Sequence, residues 1–384
     1  MVAAGYDHTL LLRSDGSVIA CGSDALGKCR VPALVRGSAD SEPRVTYTQV
    51  ASGVFHSVLL RSDGRVVACG GGGAGQCDIP ECTDGCHYTQ VAAGGSHSVL
   101  LRSDGRAVAC GANSDGRCTM PELPPGMTYR QVAAGGFHTV LLRSDGRALA
   151  VGSNQNGQID LPDLEPGVTY TSVSAGGSHT ALLRSDGRVV ACGANYDGRC
   201  DIPDLEPGVA YTAVSAGGSH TVLLRSDGRA MAVGCSRHGQ CELPVAEPGM
   251  AYAHVSAGGS HTVLLREDGY VVACGREVCG QCSIPEPDRG GPRYVASRSA
   301  GRDLIVQLAT EGAIAYCLSL AGNLLASWEV DDSEWGSPVL SRVSKEVDHR
   351  SCRLRVVSPD GRLLSPADTF TELFEHRRAQ IGHA

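Results

Sequence analysis

The sequence predicts an all-β chain: a seven-bladed β-propeller of about 41-residue repeats, followed by a small α+β segment. Three observations carry that reading. A histidine recurs at His56, His97, His138, His179, His220 and His261, successive intervals of 41 residues, with His8 leading the series 48 residues upstream. An Asp-Gly pair follows each histidine seven residues on, set between two short apolar runs, which is the strongest local signal for a tight hairpin. Helical periodicity is absent across the repeats, and several short strands per unit at this period favour a closed radial array over a linear solenoid.

The unit Tyr170 to Pro203 supplies the elements in order. Val173 to Ala175 is a short β-run, and Gly176-Gly177 turns the backbone where a side chain would obstruct it. His179 to Arg184 and Arg188 to Cys192 are two strands around Ser185-Asp186-Gly187, whose glycine supplies the positive φ of a twist-matched turn. A Pro/Gly loop such as Asp204 to Gly208 leads to the next copy. The first copy starts at Val2 without the tyrosine that opens the others. A half-copy, Tyr294 to Cys317 with a turn at Thr310-Glu311-Gly312, is expected to complete its blade from the far end of the array. The propeller is thus placed at residues 1–312.

Beyond Gly312 the pattern changes. Ala313 to Leu320 and Leu324 to Val330 flank Ala321-Gly322-Asn323 as a hairpin, and Ser337-Pro338 starts a helix running to about Val347, with a capping hydroxyl and a proline in the first turn. Arg353 to Val357, the turn Pro359-Asp360-Gly361 and Arg362 to Leu364 complete a ββαββ order, so 313–376 is expected to form a small β-grasp and 377–384 a tail. The rival reading gives Ala313 to Cys317 to the closing blade and leaves an irregular remainder.

The formal net charge of −8 and the lack of Lys/Arg clusters argue against nucleic acid as a main partner. Lys28 and Lys345 are the only lysines, which makes the chain a poor acceptor of isopeptide bonds. No apolar run reaches the length of a membrane span and no signal core is seen, so no membrane partner and a cytoplasmic or nuclear setting are expected. The 17 cysteines recur eight apart, at Cys21/Cys29, Cys69/Cys77, Cys110/Cys118, Cys192/Cys200 and Cys274/Cys282. One copy carries Val151 and Ile159 there instead, which marks buried small apolar sites that hold reduced cysteine, with disulfides in some repeats as the alternative. The pairs Cys82/Cys86 and Cys279/Cys282 lack a second pair or a histidine at ligand distance, so no zinc is expected.

Seven histidines at equivalent places, His8, His56, His97, His138, His179, His220 and His261, serve every blade alike. Each is expected to hydrogen-bond a backbone group in the neighbouring turn. No Ser/His/Asp or Cys/His set occurs once, as a single active site requires, and Gly70 to Gly73 lacks the Lys-Ser/Thr ending of a phosphate loop, so neither an enzyme nor a cofactor is expected. Arginines of the Arg-Ser-Asp-Gly-Arg hairpins, Arg61/Arg65 through Arg225/Arg229, lie on one rim, read as solvated turns or as a surface for an acidic partner. Divergence is concentrated between the paired glycines of the later loop. Asn113, Ser114 and Asp115, Asn154, Gln155 and Asn156, Asn195, Tyr196 and Asp197, and Ser236, Arg237 and His238 are the candidate partner-binding residues, because divergent loops on a rigid scaffold can carry recognition.

The pattern Ala-Gly-Gly-x-His-Thr-x-x-Leu, followed by Asp-Gly and later Gly-Gln, resembles the regulator-of-chromosome-condensation repeat over about three quarters of the chain. That resemblance implies a seven-bladed propeller. Its members include a Ran exchange factor, a plant UV-B photoreceptor, a β-lactamase inhibitor and the propellers of HERC-type ubiquitin ligases. Here Trp328 and Trp335, the only tryptophans, lie outside the repeats, which excludes a tryptophan-based photoreceptor. Leu320 to Val330 with Arg353 to Val357 is similar to ubiquitin in spacing. Ile381-Gly-His-Ala384 lacks a terminal Gly-Gly, so such a module would act as a fused binding domain. The resemblance implies a non-enzymatic protein-interaction scaffold of HERC type, a regulatory or substrate-binding part of the ubiquitin pathway, with too few residues after the propeller for a HECT domain. The alternative is guanine-nucleotide exchange on a Ran-type small GTPase; a protease or β-lactamase inhibitor would need an exported chain.

Overall fold

The computed structural model describes residues 1–34, 45–83, 85–245, 250–285 and 294, together with the backbone of six strands between 304 and 364. The chain divides into two compact units, Met1–Ser297 and Arg298–Ala384.

The first unit contains seven three-stranded antiparallel sheets, one per repeat. In the second repeat the strands are Tyr47–Ser52, His56–Arg61 and Val66–Gly70, with Val50 opposite Leu59 and His56 opposite Gly70. The Asp-Gly hairpin joins the second and third strands as expected; Gly64 at its tip has φ +77°, a conformation that side chains resist. The middle strand is buried along His56–Leu60 because it is covered on both faces. Leu59 faces Leu10, Leu12 and Val50, whereas Val58 and Leu60 face Val91 and Leu100 of the next blade. The core is therefore a series of inter-blade layers, and the period-2 alternation of each strand sends successive side chains into different layers.

Three hydrogen-bonded rings close the array. At the tips, Tyr6 N donates to Gly53 O, Val54 to Gly94, Gly95 to Gly135, Gly136 to Gly176, Gly177 to Gly217, Gly218 to Gly258, and Gly259 back to Gly5. Glycine is needed here because a Cβ on Gly177 would lie 2.7 Å from the Gly218 carbonyl oxygen. Between the first strands, Val91 N donates to Gln49, Val132 to Gln90 and Val173 to Gln131. Ala216, Ala257 and Ala4 donate to the hydroxyls of Ser174, Ser215 and Ser256, and Ser52 donates to Ala3 O. The third ring runs through the histidines.

Every Nε2 of the seven histidines lies 2.8–2.9 Å from a hydroxyl of the next blade: His8 with Ser57, His56 with Ser98, His97 with Thr139, and so on to His261 with Thr9. Each hydroxyl in turn donates to a backbone carbonyl, Thr139 to Arg117 at 2.7 Å and Thr180 to Gln158 at 2.6 Å. A hydroxyl has one proton. Having given it to the carbonyl, it must accept from Nε2–H, which fixes the tautomer and leaves Nδ1 as a buried acceptor without a partner. The histidines thus reach the backbone through a neighbour's hydroxyl, where a direct bond was expected.

Among the described residues, one from the far end, Tyr294, joins the first blade. Tyr294 bridges Arg13 as Tyr47 pairs with Arg61, and its hydroxyl donates to Pro285 O at 3.0 Å, as Tyr88 donates to Pro80 O. Its ring is buried with Val2, Leu11, Val263 and Leu265. Further along the expected half-copy, Leu304–Gln307 and Ile314–Leu318 pair with strands of the second unit.

In that unit Ile314–Leu318 pairs with Ala309–Glu311 and Leu324–Glu329, and Leu354–Val357 pairs parallel with Leu304–Gln307 and antiparallel with Leu363–Leu364. The expected helix at Ser337 to Val347 lies outside the described residues, as does the tail.

Candidate protein-interaction face

Strand direction places two sets of segments at one end of the first unit. Each middle strand starts at the histidine and pairs there with the last residue of the third strand, as His138 does with Gly152. The Gly-Gly-x-His tips and the divergent loops therefore emerge at the same end, and the Asp-Gly hairpins at the other.

The loops are built more tightly than their divergence suggests. Asn113, Asn154 and Asn195 each accept, through Oδ1, the backbone N–H five residues on, and Ser236 Oγ accepts that of Cys241. Asp115 binds Arg117 through both oxygens at 2.6 Å, and Asp197 binds Arg199 at 2.8 Å. Backbone N–H groups of Asn156 and His238 are held by Gln158 and Gln240. Of the twelve candidate residues, then, Asn113, Asn154, Asn195, Ser236, Asp115 and Asp197 spend their polar groups on the loop itself. The apex residues Ser114, Gln155, Tyr196 and Arg237 are exposed as well. Tyr196 is 83% exposed and donates to Asn156 Oδ1 at 2.9 Å.

Buried cations weld loop to tip in alternate blades. Arg117 Nη1 donates to Gly136 O at 3.0 Å, Arg199 Nη1 to Gly218 O at 3.1 Å, and Lys28 Nζ to Val54 O at 3.2 Å while pairing with Asp7. Each cation thus meets both a carboxylate and a carbonyl, which compensates the cost of its burial.

The tips carry side chains that the loop comparison overlooked. Where five copies have a glycine, the first has Tyr6, 51% exposed, whose ring lies across Gly259 of the seventh blade. Immediately before the histidine, Phe55 and Phe137 replace the serine of Ser96, Ser178, Ser219 and Ser260, and both are exposed. The Phe137 ring sits 5.0 Å above the Arg117 guanidinium. Leu26 joins Phe55 over Gly71. Its φ of +66° is the one positive value at a non-glycine among the described residues, and it is exposed. A leucine in that conformation costs on the order of 1 kcal/mol, and exposure returns nothing for it. With Tyr196 and Val278 these make six exposed apolar side chains on one end. An aromatic beside the otherwise uniform histidine was the available signal.

The paired framework thiols are engaged by backbone carbonyls. Cys69 and Cys110 donate to the carbonyls of Lys28 and Gln76, Cys77 and Cys118 to those of Gly71 and Ala112. They are half-buried, where full burial was expected, and desolvation pushes Cys69 and Cys110 up to about 11. Among the described residues no group of three or more His, Cys, Asp or Glu is placed to hold a metal ion. No helix among them is long and apolar enough to cross a membrane.

The regulator of chromosome condensation (RCC1) repeat matches residues 2–28, 47–76, 88–117, 129–158, 170–199, 211–240 and 252–281, more than half of the chain. The chain belongs to this family. Each match runs from the first strand to the cation or glutamine that ends the divergent loop, so the RCC1 repeat and the physical blade coincide. Comparison with curated proteins gives no match. Among solved structures, human WBSCR16 is similar at 21% identity over 69% of this chain and 86% of its own, with a TM-score of 0.57. The Physcomitrella patens receptor kinase CR4 ectodomain gives 20% identity over 71% and 72%, with 0.55. Prp20p from Saccharomyces cerevisiae, described with its binding properties to Gsp1p and histones, gives 18% over 67% and 78%, with 0.54. These likenesses speak for the RCC1 fold.

Proposed function

We propose that this RCC1-repeat chain is a non-enzymatic protein-binding propeller whose partner docks on the tip end. The observation that carries the reading is the set Tyr6, Leu26, Phe55, Phe137, Tyr196 and Val278, exposed at one end of an otherwise uniform framework. Exposed aromatics on loops held by buried ion pairs are what a pre-organised docking surface requires. The strained backbone of Leu26 supports the same reading, since strain at an exposed residue persists where function selects it. In its fuller form the scaffold is of HERC type. The propeller, placed at 1–312, holds the partner, while a ubiquitin-like module at 313–376, supported by the spacing of Leu320 to Val330 and Arg353 to Val357, engages the ubiquitin pathway.

Replacing Tyr6, Phe55, Phe137 and Tyr196 together by serine tests the proposal by affinity purification from cells. The expected result is loss of the partners held by the unaltered chain, with the melting temperature unchanged. An unchanged partner set would contradict it. The alternative, guanine-nucleotide exchange, is favoured by the likeness to Prp20p. It is decided by release of labelled nucleotide from purified small GTPases, which the same four substitutions would abolish.

A further inference from the structure

At the opposite end, the Asp-Gly hairpins of the second to sixth blades place an arginine after each turn: Arg65, Arg106, Arg147, Arg188 and Arg229, all exposed. The hairpin aspartates do not neutralise them. One oxygen of Asp63 is 2.6 Å from Arg61 Nη2 while the other accepts the backbone N–H of Arg65, and the same division holds at Asp104 and Asp145; at Asp186 and Asp227 the strand-end arginine also reaches the second oxygen through Nε at 3.2 Å. The strand-end arginines therefore hold the carboxylates most closely, and the second guanidinium of each hairpin stays exposed. Arg229, with its side chain 77% exposed, lies 4.0 Å from Asp227, whose oxygen is already 2.7 Å from Arg225.

The arc stops at the closure of the ring. The seventh hairpin has Tyr270 in the arginine's place, stacked 5.5 Å from Arg266, and the first has Ser17, which donates to Asp15. In a chain of net charge −8 this is a localised concentration of unspent positive charge.

We infer that this arc binds an acidic protein segment that runs across the five blades, a site separate from the tip end. Protein carboxylates fit better than a phosphate backbone for two reasons. Isolated guanidiniums, one per blade, match separated carboxylates through the two-pronged fork, whereas a nucleic acid calls for dense cations. The hairpin carboxylates, and Glu165 at 3.5 Å from Arg184, also break the field that a continuous phosphate chain would meet.

The test is fluorescence anisotropy with the full chain, a labelled poly-glutamate peptide and a single-stranded DNA of equal length. At low salt, where a Debye length of about 30 Å favours such contacts, poly-glutamate is expected to bind more tightly than the DNA. Changing all five arginines to glutamine should weaken peptide binding about tenfold or more, and changing them to lysine by an intermediate amount, because charge is kept while the fork is lost. The serine variant of the tip end should bind the peptide as the unaltered chain does. Equal peptide binding by the glutamine variant, tighter binding of the DNA, or no peptide binding at all would each overturn the inference, whatever the outcome at the tips.

Discussion

Lowering the pH should unfold the propeller through its histidine ring, well above the range in which carboxylates titrate. The seven imidazoles are fully buried, and desolvation holds His8, His97, His179 and His220 down at about 3 and His56, His138 and His261 at about 4. In the unfolded chain they take protons near 6.5. Between those values the unfolded state binds more protons than the native one, so stability falls as pH falls below about 6.5 and is unaffected above it. At pH 5.5 each histidine costs about 1 kcal/mol, and seven together cost on the order of 10 kcal/mol. That equals the whole stability of an ordinary domain, about 5 to 15 kcal/mol. The measurement is the urea midpoint by far-ultraviolet circular dichroism at a series of pH values, because Trp328 and Trp335 lie outside the repeats and their fluorescence follows other residues. A steep loss between pH 6.5 and 5 is expected. A midpoint that stays flat until pH 4 would refute the neutral, Nε2-protonated ring.

Two further predictions test the framework. Thr139→Val keeps the shape but strands the His97 Nε2–H and the Arg117 carbonyl, and should cost about 2 to 5 kcal/mol in chemical denaturation. Thr171→Val, which removes an exposed hydroxyl 3.3 Å from Leu183 O, should cost under about 1 kcal/mol. Gly177→Ala drives a methyl against the Gly218 carbonyl and should lower the melting temperature by several degrees, about 1 to 3 kcal/mol of destabilisation. Gly73→Ala, with open space around it, should leave the melting temperature within error.

The blade was legible because its determinants are local. Asp186-Gly187 sets the hairpin, Gly176-Gly177 the tip, and the short run His179 to Leu183 the middle strand. What could not be read depends on which blade a side chain meets. The threonine or serine after each histidine is visible in every copy, yet nothing local says that His97 would meet Thr139 of the following copy and not its own Ser98. The bridge from Arg13 to Tyr294 is equally non-local, since it joins residues from opposite ends of the array. At the candidate site the divergent loops lie at one end of the propeller, and half of the marked residues are occupied in holding the loops. Tyr6, Phe55 and Phe137 sit in the segment whose uniform neighbours drew attention away from them.

Site-specific photo-crosslinking in cells tests the central claim most directly. A crosslinking amino acid at Phe137 or Tyr196 should yield discrete adducts with a partner, and one at the exposed Glu206 of an outer loop should not. Adducts from Glu206 alone, or from all three positions alike, would contradict a partner surface at the tips.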